Sequence, residues 1–301
     1  YFDALKIHEE GGVKNEVAAT LMNIGIVYNS LEDYQKALDY MLRANKIDEE
    51  LGNKSGVAAN LGNIGQLYIS LGDTAKALES NIKSLDFYEA VGDKNGIARN
   101  LGNIATLYTE KKDYARSLEY NERALDLFEQ LGDKNGAAKI LADIGNTYLE
   151  IAKDNNAARK YNEHWTLPRN KTMALQNANA NTARAISLSG EIGDLNTLLN
   201  NYKRLSEIQS LQENHKGALE SYKQYTLFKD SVFNMEKDKK LTETAMRYEF
   251  DKKEAATKAA QAEKDRRQLT IRNSFIAGAI LLLLLLIGLI NRYRYKQKAN
   301  Q

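Results

Sequence analysis

The sequence repeats itself every forty residues, and this period constrains the fold more than any other feature. The stretch "NLGNIGQLYISLGD" begins at Asn60, and "NLGNIATLYTEKKD" begins at Asn100. Three columns keep the same register: Leu21, Leu61, Leu101 and Leu141, then Ile24, Ile64, Ile104 and Ile144, then Tyr28, Tyr68, Tyr108 and Tyr148. Repeats of this length are single supersecondary units that must stack to bury a shared core, so the period predicts a solenoid.

Each unit is predicted to be a pair of antiparallel helices. Leu21, Ile24 and Tyr28 lie on one face of a first helix, and a second apolar series begins near Ala37. The units are separated by glycines that can end a helix in the left-handed conformation, namely Gly52, Gly92 and Gly132. They are followed or accompanied by residues that suit helix caps or turns, namely Asn53, Asp73, Asp93 and Asp133. With a single proline in the chain, the expected fold class is all-α.

These residues resemble the tetratricopeptide repeat family. Its pattern matches Leu21, Ile24, Gly25, Tyr28, Ala37, Met41 and Ala44, whereas Asn81 and Asn121 stand where the family has an aromatic residue. The forty-residue period resembles the subclass with lengthened helices found in kinesin light chains and several bacterial regulators. The resemblance implies a superhelix of about five to six hairpins over residues 1–233.

The organisation along the chain is predicted from breaks in this pattern. The "EIGD" at Glu191 comes sixty-one residues after "QLGD" at Gln130, which indicates an insertion near 153–172 between the two helices of one unit. The first residues fit the end of a second helix, so the sequence is expected to begin within a repeat. Residues 234–272 are predicted to form a charged linker helix, 273–292 a transmembrane helix and 293–301 a basic juxtamembrane tail.

The linker carries a weak heptad from Leu241 to Leu269, with Lys252 and Arg266 interrupting the apolar seam. Such a seam could form a homodimer through residues 241–269 and change its pairing when a partner binds. An inert spacer explains the same residues equally well.

The apolar run from Phe275 to Ile290 is expected to cross a lipid bilayer, because it contains six consecutive leucines and no charged residue. Arg272 and Arg292 flank it, and Tyr293 and Tyr295 are predicted membrane-interface residues. A buried core helix is the alternative, but it would need a polar face that the run does not have. Basic residues on the two sides nearly balance. The family resemblance therefore supplies the expected orientation, with periplasmic repeats and a cytoplasmic C-terminus at a bacterial inner membrane.

Paired asparagines on the first helices are the candidate partner-binding residues: Asn23, Asn60, Asn63, Asn100 and Asn103. A carboxamide both donates and accepts, so a row of them can pair with the backbone of an extended peptide. In related long-helix repeat proteins, asparagines at matching positions contact peptides. The alternative is that they tie helices together; the two explanations are balanced for Asn63 and Asn103, and binding is favoured at Asn60 and Asn100.

Other chemistry finds no support in the sequence. No cysteine is present, and the three histidines lack partners at metal or catalytic spacing, so neither cofactor, metal nor enzyme activity is expected in these residues. A net charge of +2, with 42 basic and 40 acidic residues interspersed, argues against nucleic acid.

The order of segments resembles the sensory half of bacterial membrane signalling proteins, in which repeats precede a histidine kinase, a helix-turn-helix regulator or a nucleotide cyclase. This implies a membrane-anchored protein-interaction module in signal transduction, including two-component systems. A tail-anchored scaffold without output and the N-terminal part of a kinase or cyclase are the alternatives.

Overall fold

The computed structural model describes the backbone of residues 1–154 and 167–299. It describes the side chains of the same residues except 234–243, 245 and 274–299. All regular structure in this part of the chain is helical, which confirms the predicted all-α class. The helices are α1 (Phe2–Gly11), α2 (Lys14–Ser30), α3 (Tyr34–Leu51), α4 (Lys54–Ser70), α5 (Thr74–Val91), α6 (Lys94–Glu110), α7 (Tyr114–Leu131), α8 (Lys134–Lys153), α9 (Lys171–Ile192), α10 (Leu195–Leu211) and α11 (His215–Ala299).

The predicted punctuation between helices is confirmed. Gly52, Gly92 and Gly132 end α3, α5 and α7 with φ angles of 68°, 72° and 68°. The side chains of Asn53 and Asp93 accept hydrogen bonds from backbone N–H groups in the first turns of α4 and α6. Because these caps recur with the repeat period, the period predicts where α3 to α7 begin or end.

Helices α2 to α9 form successive hairpins, and the core runs along the line where the hairpins stack. Leucine, isoleucine and alanine side chains from α6, α7 and α8 are completely buried there, including Leu101, Ile104, Leu118 and Leu141. Each fully buried leucine or isoleucine stabilises the fold by about 1.5–3 kcal/mol. The columns seen in the sequence are therefore the core of the stack.

Helices α8 and α9 pair closely, although seventeen residues separate Lys153 from Lys171. A Cβ atom on Gly145 of α8 would lie 2.5 Å from Oγ1 of Thr182 on α9, so glycine permits this contact. The predicted insertion near 153–172 falls between these two helices. Residues 155–166, including Trp165, lie outside the described residues.

The chain divides into two compact units. The first comprises Tyr1 and Asp3–Glu243, and the second comprises Phe2 and Thr244–Gln301. The end of the predicted last repeat, the charged linker and the apolar run all lie in one helix, α11, from His215 to Ala299. From Ala218 to Ala277 this helix contains no glycine and no proline, so nothing in its backbone chemistry would end it there.

Candidate peptide-binding groove

Helices α2, α4, α6 and α8, which we call the inner helices, line a groove in the first unit. Its cavity volume is about 630 Å³. The lining residues are Ile26, Ala59, Gly62, Asn63, Gln66, Tyr88, Arg99, Asn100, Gly102, Asn103, Thr106, Phe128, Asp133, Asn135, Gly136, Lys139, Ile140 and Asp143. Most of them occupy matching positions forty residues apart on successive inner helices, so the groove repeats with the sequence.

Small residues set the spacing of the inner helices. A Cβ atom on Gly102 of α6 would lie 2.6 Å from Cδ1 of Ile140 on α8. On α4, the corresponding atom of Gly62 would lie 3.2 Å from Oγ of Ser84 and 3.6 Å from the Asn100 amide. The absence of a side chain at these positions lets the neighbouring helices approach closely.

Asn63 and Asn103 lie in the groove, as the sequence analysis proposed. Both are half-buried, and both line the cavity. Nδ2 of Asn103 donates to Oδ1 of Asn81 on α5 at 3.3 Å, which is a long hydrogen bond. This bond leaves Oδ1 of Asn103 available to accept from a ligand. Asn23, at the matching position of α2, is half-buried and does not belong to the cavity lining.

Asn60 and Asn100 occupy a different environment, although binding was favoured there on sequence grounds. Asn60 is completely buried, and its Nδ2 donates to Oδ2 of Asp48 on α3 at 2.7 Å. Asn100 is 3% exposed, and its Nδ2 donates to Oγ of Ser84 on α5 at 2.9 Å. These two amides tie an inner helix to the preceding hairpin, which is the structural role that was the alternative for them.

The asparagines at this matching position, which we call the amide column, are followed in register by two charged residues, Asp143, where the asparagine pattern fades in the sequence, and Arg204, which the sequence analysis missed. Asp143 follows Asn103 by forty residues, and Arg204 on α10 follows Asp143 by sixty-one, the offset that the insertion imposes. The column therefore reads Asn23, Asn63, Asn103, Asp143, Arg204. The sixty-one-residue spacing of "QLGD" and "EIGD" could have predicted the place of Arg204, provided that the repeat numbering is continued across the insertion.

Burial dominates the electrostatics of this charged end. It raises the pKa of the Asp143 carboxyl to about 6, against the opposing attraction of Arg204 and Lys139. Burial also lowers the pKa of the Arg204 guanidinium, which donates to Oδ1 of Asn201 at 2.6 Å. No described residue donates a hydrogen bond to the Asp143 carboxylate. An acceptor held this way is open to a ligand or to water.

Two cations, Arg99 and Lys139, stand on the rim of the groove. They occupy matching positions of α6 and α8, and both side chains are exposed. Nη2 of Arg99 lies 3.4 Å from the hydroxyl of Tyr88, and neither cation forms an ion pair with a described residue. A second, smaller cavity of about 290 Å³ adjoins the first, and Asp143 lines both. Its other lining residues are Thr106, Thr109, Glu110, Lys112, Tyr114, Asn146 and Glu150.

The predicted membrane-interface residues are only partly described. Arg272 is exposed on α11. The side chains of Arg292, Tyr293 and Tyr295 lie outside the described residues, as do those of the whole apolar run. Among the residues whose side chains the structure describes, which exclude that run, no helix combines the length and the apolarity needed to cross a bilayer.

Comparison with known protein families gives one match. The tetratricopeptide repeat model matches residues 16–90 and 96–164. No curated protein matches the sequence.

Several solved structures share the fold. BtubC (BKLC) from P. vanneervenii has a TM-score of 0.61 at 14% identity, over 76% of this chain and 87% of that one. A Rap protein complexed with Competence and Sporulation Factor has a TM-score of 0.57 at 14% identity, over 74% of this chain and 56% of that one. A putative kinesin light chain of Podosopora anserina with nearly identical TPR-like repeats has a TM-score of 0.52 at 10% identity, over 73% and 97%. Identities this low show the fold alone. The family match covers the hairpins from α2 to α8, which are therefore similar to tetratricopeptide repeats.

Proposed function

We propose that the groove of the inner helices binds an extended peptide, or an extended segment of a protein partner. The observation that carries this proposal is the cavity of about 630 Å³ with Asn63 and Asn103 at matching positions on its floor. Peptides that bind in an extended form expose backbone N–H and C=O groups along their whole length, and these need partners that recur at regular intervals.

The amide column meets this requirement. Each carboxamide offers two donors and an acceptor, so it can pair with a peptide group without selecting a side chain. The hydrogen bonds by which Asn60 and Asn100 hold α4 and α6 to the preceding hairpins do not involve Asn63 or Asn103, although Asn100 also lines the cavity. The scaffold can therefore stay rigid while the groove exchanges ligands, which reduces the ordering cost of binding.

The comparisons support binding in a general way. A structurally similar Rap protein has been solved in complex with Competence and Sporulation Factor, so this type of solenoid can hold a ligand. At 14% identity the similarity does not carry the ligand's identity to this chain.

The second part of the proposal is that this module is the partner-binding half of a membrane-anchored bacterial signalling protein. Support comes from the sequence of residues 273–292, which is long and apolar enough to span a bilayer, and from the heptad at 241–269 that precedes it. Under this proposal the repeats are periplasmic, and a change of pairing in the linker carries the signal across the inner membrane.

A selection experiment tests the groove. The full chain, held in a non-ionic detergent because of its apolar run, is used to select binders from a library of random dodecapeptides. The affinity of the selected peptides is then measured by fluorescence polarisation. The double variant Asn63→Ala, Asn103→Ala is expected to weaken binding by about tenfold or more, because it removes two sets of hydrogen bonds to the peptide backbone.

Asn60→Ala provides the matched control, since it removes the same side chain one helical turn away. It is expected to lower stability and to leave peptide affinity within about twofold, because Asn60 is buried against Asp48. A library that yields no binder, or binders unaffected by the double variant, would refute the proposed function.

A further inference from the structure

The charged residues at the end of the amide column bear on which charge the ligand carries, whereas the neutral amides do not. Three column positions carry neutral asparagines, whereas the fourth carries the carboxylate of Asp143 and the fifth the guanidinium of Arg204. Asp143 lines both cavities, so its carboxylate sits at the junction through which a ligand in the larger groove would continue into the smaller one.

Asp143 lies between two cations without bonding to either. Lys139 precedes it by one turn on α8, and Arg204 occupies the next inner position on α10; both attract its negative charge. The carboxylate receives no hydrogen bond from a described residue. A half-buried carboxylate in this state gains little from its surroundings, and it offsets positive charge that the groove would otherwise present to a ligand.

We propose that Asp143 determines the selectivity of the groove by competing with ligand carboxylates for Lys139, which lines the same cavity. This inference rests on the proposed function, because it concerns the same groove. The ligand is an extended peptide with acidic side chains: one meets Arg99 and the next meets Lys139. Protonation or replacement of Asp143 removes the negative charge that opposes Lys139 in the groove, and so strengthens the binding of such a peptide.

The spacing of the two rim cations indicates the form of the peptide. Arg99 and Lys139 occupy matching positions on neighbouring inner helices, and the axes of packed helices lie about 8–10 Å apart. A polyproline II peptide rises about 3.1 Å per residue with three residues per turn, so side chains three residues apart share a face at about 9 Å. Acidic residues at positions i and i+3 therefore match the two cations, with the backbone between them facing the amide column.

Other charged groups around Asp143 bear on its titration. Those facing it from the cavity linings and from neighbouring helices are Arg99 and Glu110 on α6, Lys112 in the turn before α7, Tyr114 on α7, Asp133 before α8, Lys139 and Glu150 on α8, and Arg204 and Glu207 on α10. Helix α9 contributes no charged residue to either lining. Asp133 accepts two backbone hydrogen bonds, and Glu150 and Glu207 both pair with Lys153, at 3.2 and 2.6 Å. These three carboxylates have partners of their own, whereas the Asp143 carboxylate, whose pKa burial raises to about 6, receives no hydrogen bond from a described residue.

The test uses the peptides selected on the full chain. Under the proposal, Asp and Glu are enriched among them, with acidic pairs three residues apart, and the enrichment disappears when the selection is repeated on Arg99→Gln, Lys139→Gln. The control pair Lys83→Gln, Arg123→Gln makes the same change of charge on α5 and α7, outside the cavity linings, and is expected to keep the enrichment.

The role of Asp143 is read from pH dependence. Affinity for an acidic peptide is expected to rise about five- to tenfold as the pH falls from about 7.5 to about 5.5, while the glutamates of the peptide remain ionised. Asp143→Asn should hold the high affinity throughout this range, whereas Glu79→Gln on α5 should behave as the wild type. Lys139→Gln provides a second test. Because Lys139 is exposed, the substitution should leave the fold intact and reduce the pH dependence of peptide affinity.

The outcomes separate the two proposals. A library that yields no peptide refutes the proposed function. Peptides that bind through Asn63 and Asn103 but are enriched in lysine and arginine, or show no charge preference, overturn the present inference alone. An affinity for acidic peptides that stays constant or falls on acidification, or that is lowered by Asp143→Asn, also overturns it.

Discussion

Two asparagines separated by three residues have different environments in this protein, and the reason is the geometry of the helix. At 3.6 residues per turn, positions three apart differ by about 60° around the axis. That rotation moves Asn60 into the contact with Asp48 of α3 and leaves Asn63 facing the groove. Sequence spacing places both on one side of the helix. It cannot decide which of them faces the groove, because that depends on how the hairpins stack.

Asp143→Asn is expected to stabilise the protein at neutral pH. Burial raises the pKa of Asp143 to about 6 from the ordinary 3.8, so the folded protein binds this proton more tightly than the unfolded chain. Between these two pKa values the folded state holds more protons, and the free energy of unfolding therefore falls as pH rises. Asparagine cannot ionise, so the variant escapes this loss.

The expected gain is about 1–2 kcal/mol above pH 6, discounted from the full shift because the carboxylate is only half-buried. It should shrink to nothing below about pH 4, where the wild-type carboxyl is protonated in both states. Urea unfolding of both proteins across this range measures it. A variant that is equally stable at neutral pH, or that gains stability only in acid, would contradict the assigned environment.

At the scale of the helices, the turns within the hairpins differ in how well their residues suit the backbone. The turn after α4 places Gly72 at φ 76°, and the equivalent turn after α2 places Glu32 at φ 59°. Residues with a Cβ atom are disfavoured in this left-handed region by about 1–2 kcal/mol, and glycine is not. The same structural turn is therefore relaxed in one hairpin and strained in its neighbour.

Glu32→Gly is expected to stabilise the chain by about 0.5 kcal/mol, since relief at the turn is partly offset by the greater freedom of glycine in the unfolded chain. The reciprocal change, Gly72→Ala, should destabilise by about 1 kcal/mol. Both residues lie outside the cavity linings, so neither substitution is expected to change peptide binding. Denaturant midpoints of the two variants decide the matter, and a neutral Gly72→Ala would show that this turn does not constrain the hairpin.

Much of the helical arrangement could be predicted because it depends on local chemistry repeated at a fixed interval. The caps at Asn53 and Asp93 and the left-handed glycines at helix ends are set by residues within a turn of the boundary. The charged end of the groove was not predicted, since Arg204 enters the column only when the register is carried across the insertion. Asn81, which replaces the usual aromatic residue, was seen in the sequence, but its contact with Asn103 depends on two helices meeting.

At the scale of the whole molecule, the distribution of polar residues divides the sequence into a part suited to water and a part suited to lipid. The repeats alternate buried apolar columns with exposed charges, as expected for helices that face water on one side. The run from Phe275 to Ile290 has no polar side. Because a helix formed by this run has no polar face to turn toward water, we propose the bilayer as its environment. Arg272 and Arg292 then lie at the two interfaces.

Deletion of residues 275–290 is expected to abolish membrane association and to leave peptide binding unchanged. Twenty residues separate Arg272 from Arg292, about 30 Å along a helix, which matches the hydrocarbon thickness of a bilayer. The full chain should therefore float with phosphatidylcholine liposomes in a density gradient and resist extraction by alkaline carbonate. The deletion variant should remain at the bottom of the gradient and bind the selected peptides with wild-type affinity. Phosphatidylcholine carries no net charge, so attraction to the basic residues of the tail cannot produce flotation in its place. Flotation of the deletion variant would show that another surface holds the protein to lipid, and carbonate extraction of the full chain would show that the run does not span the bilayer.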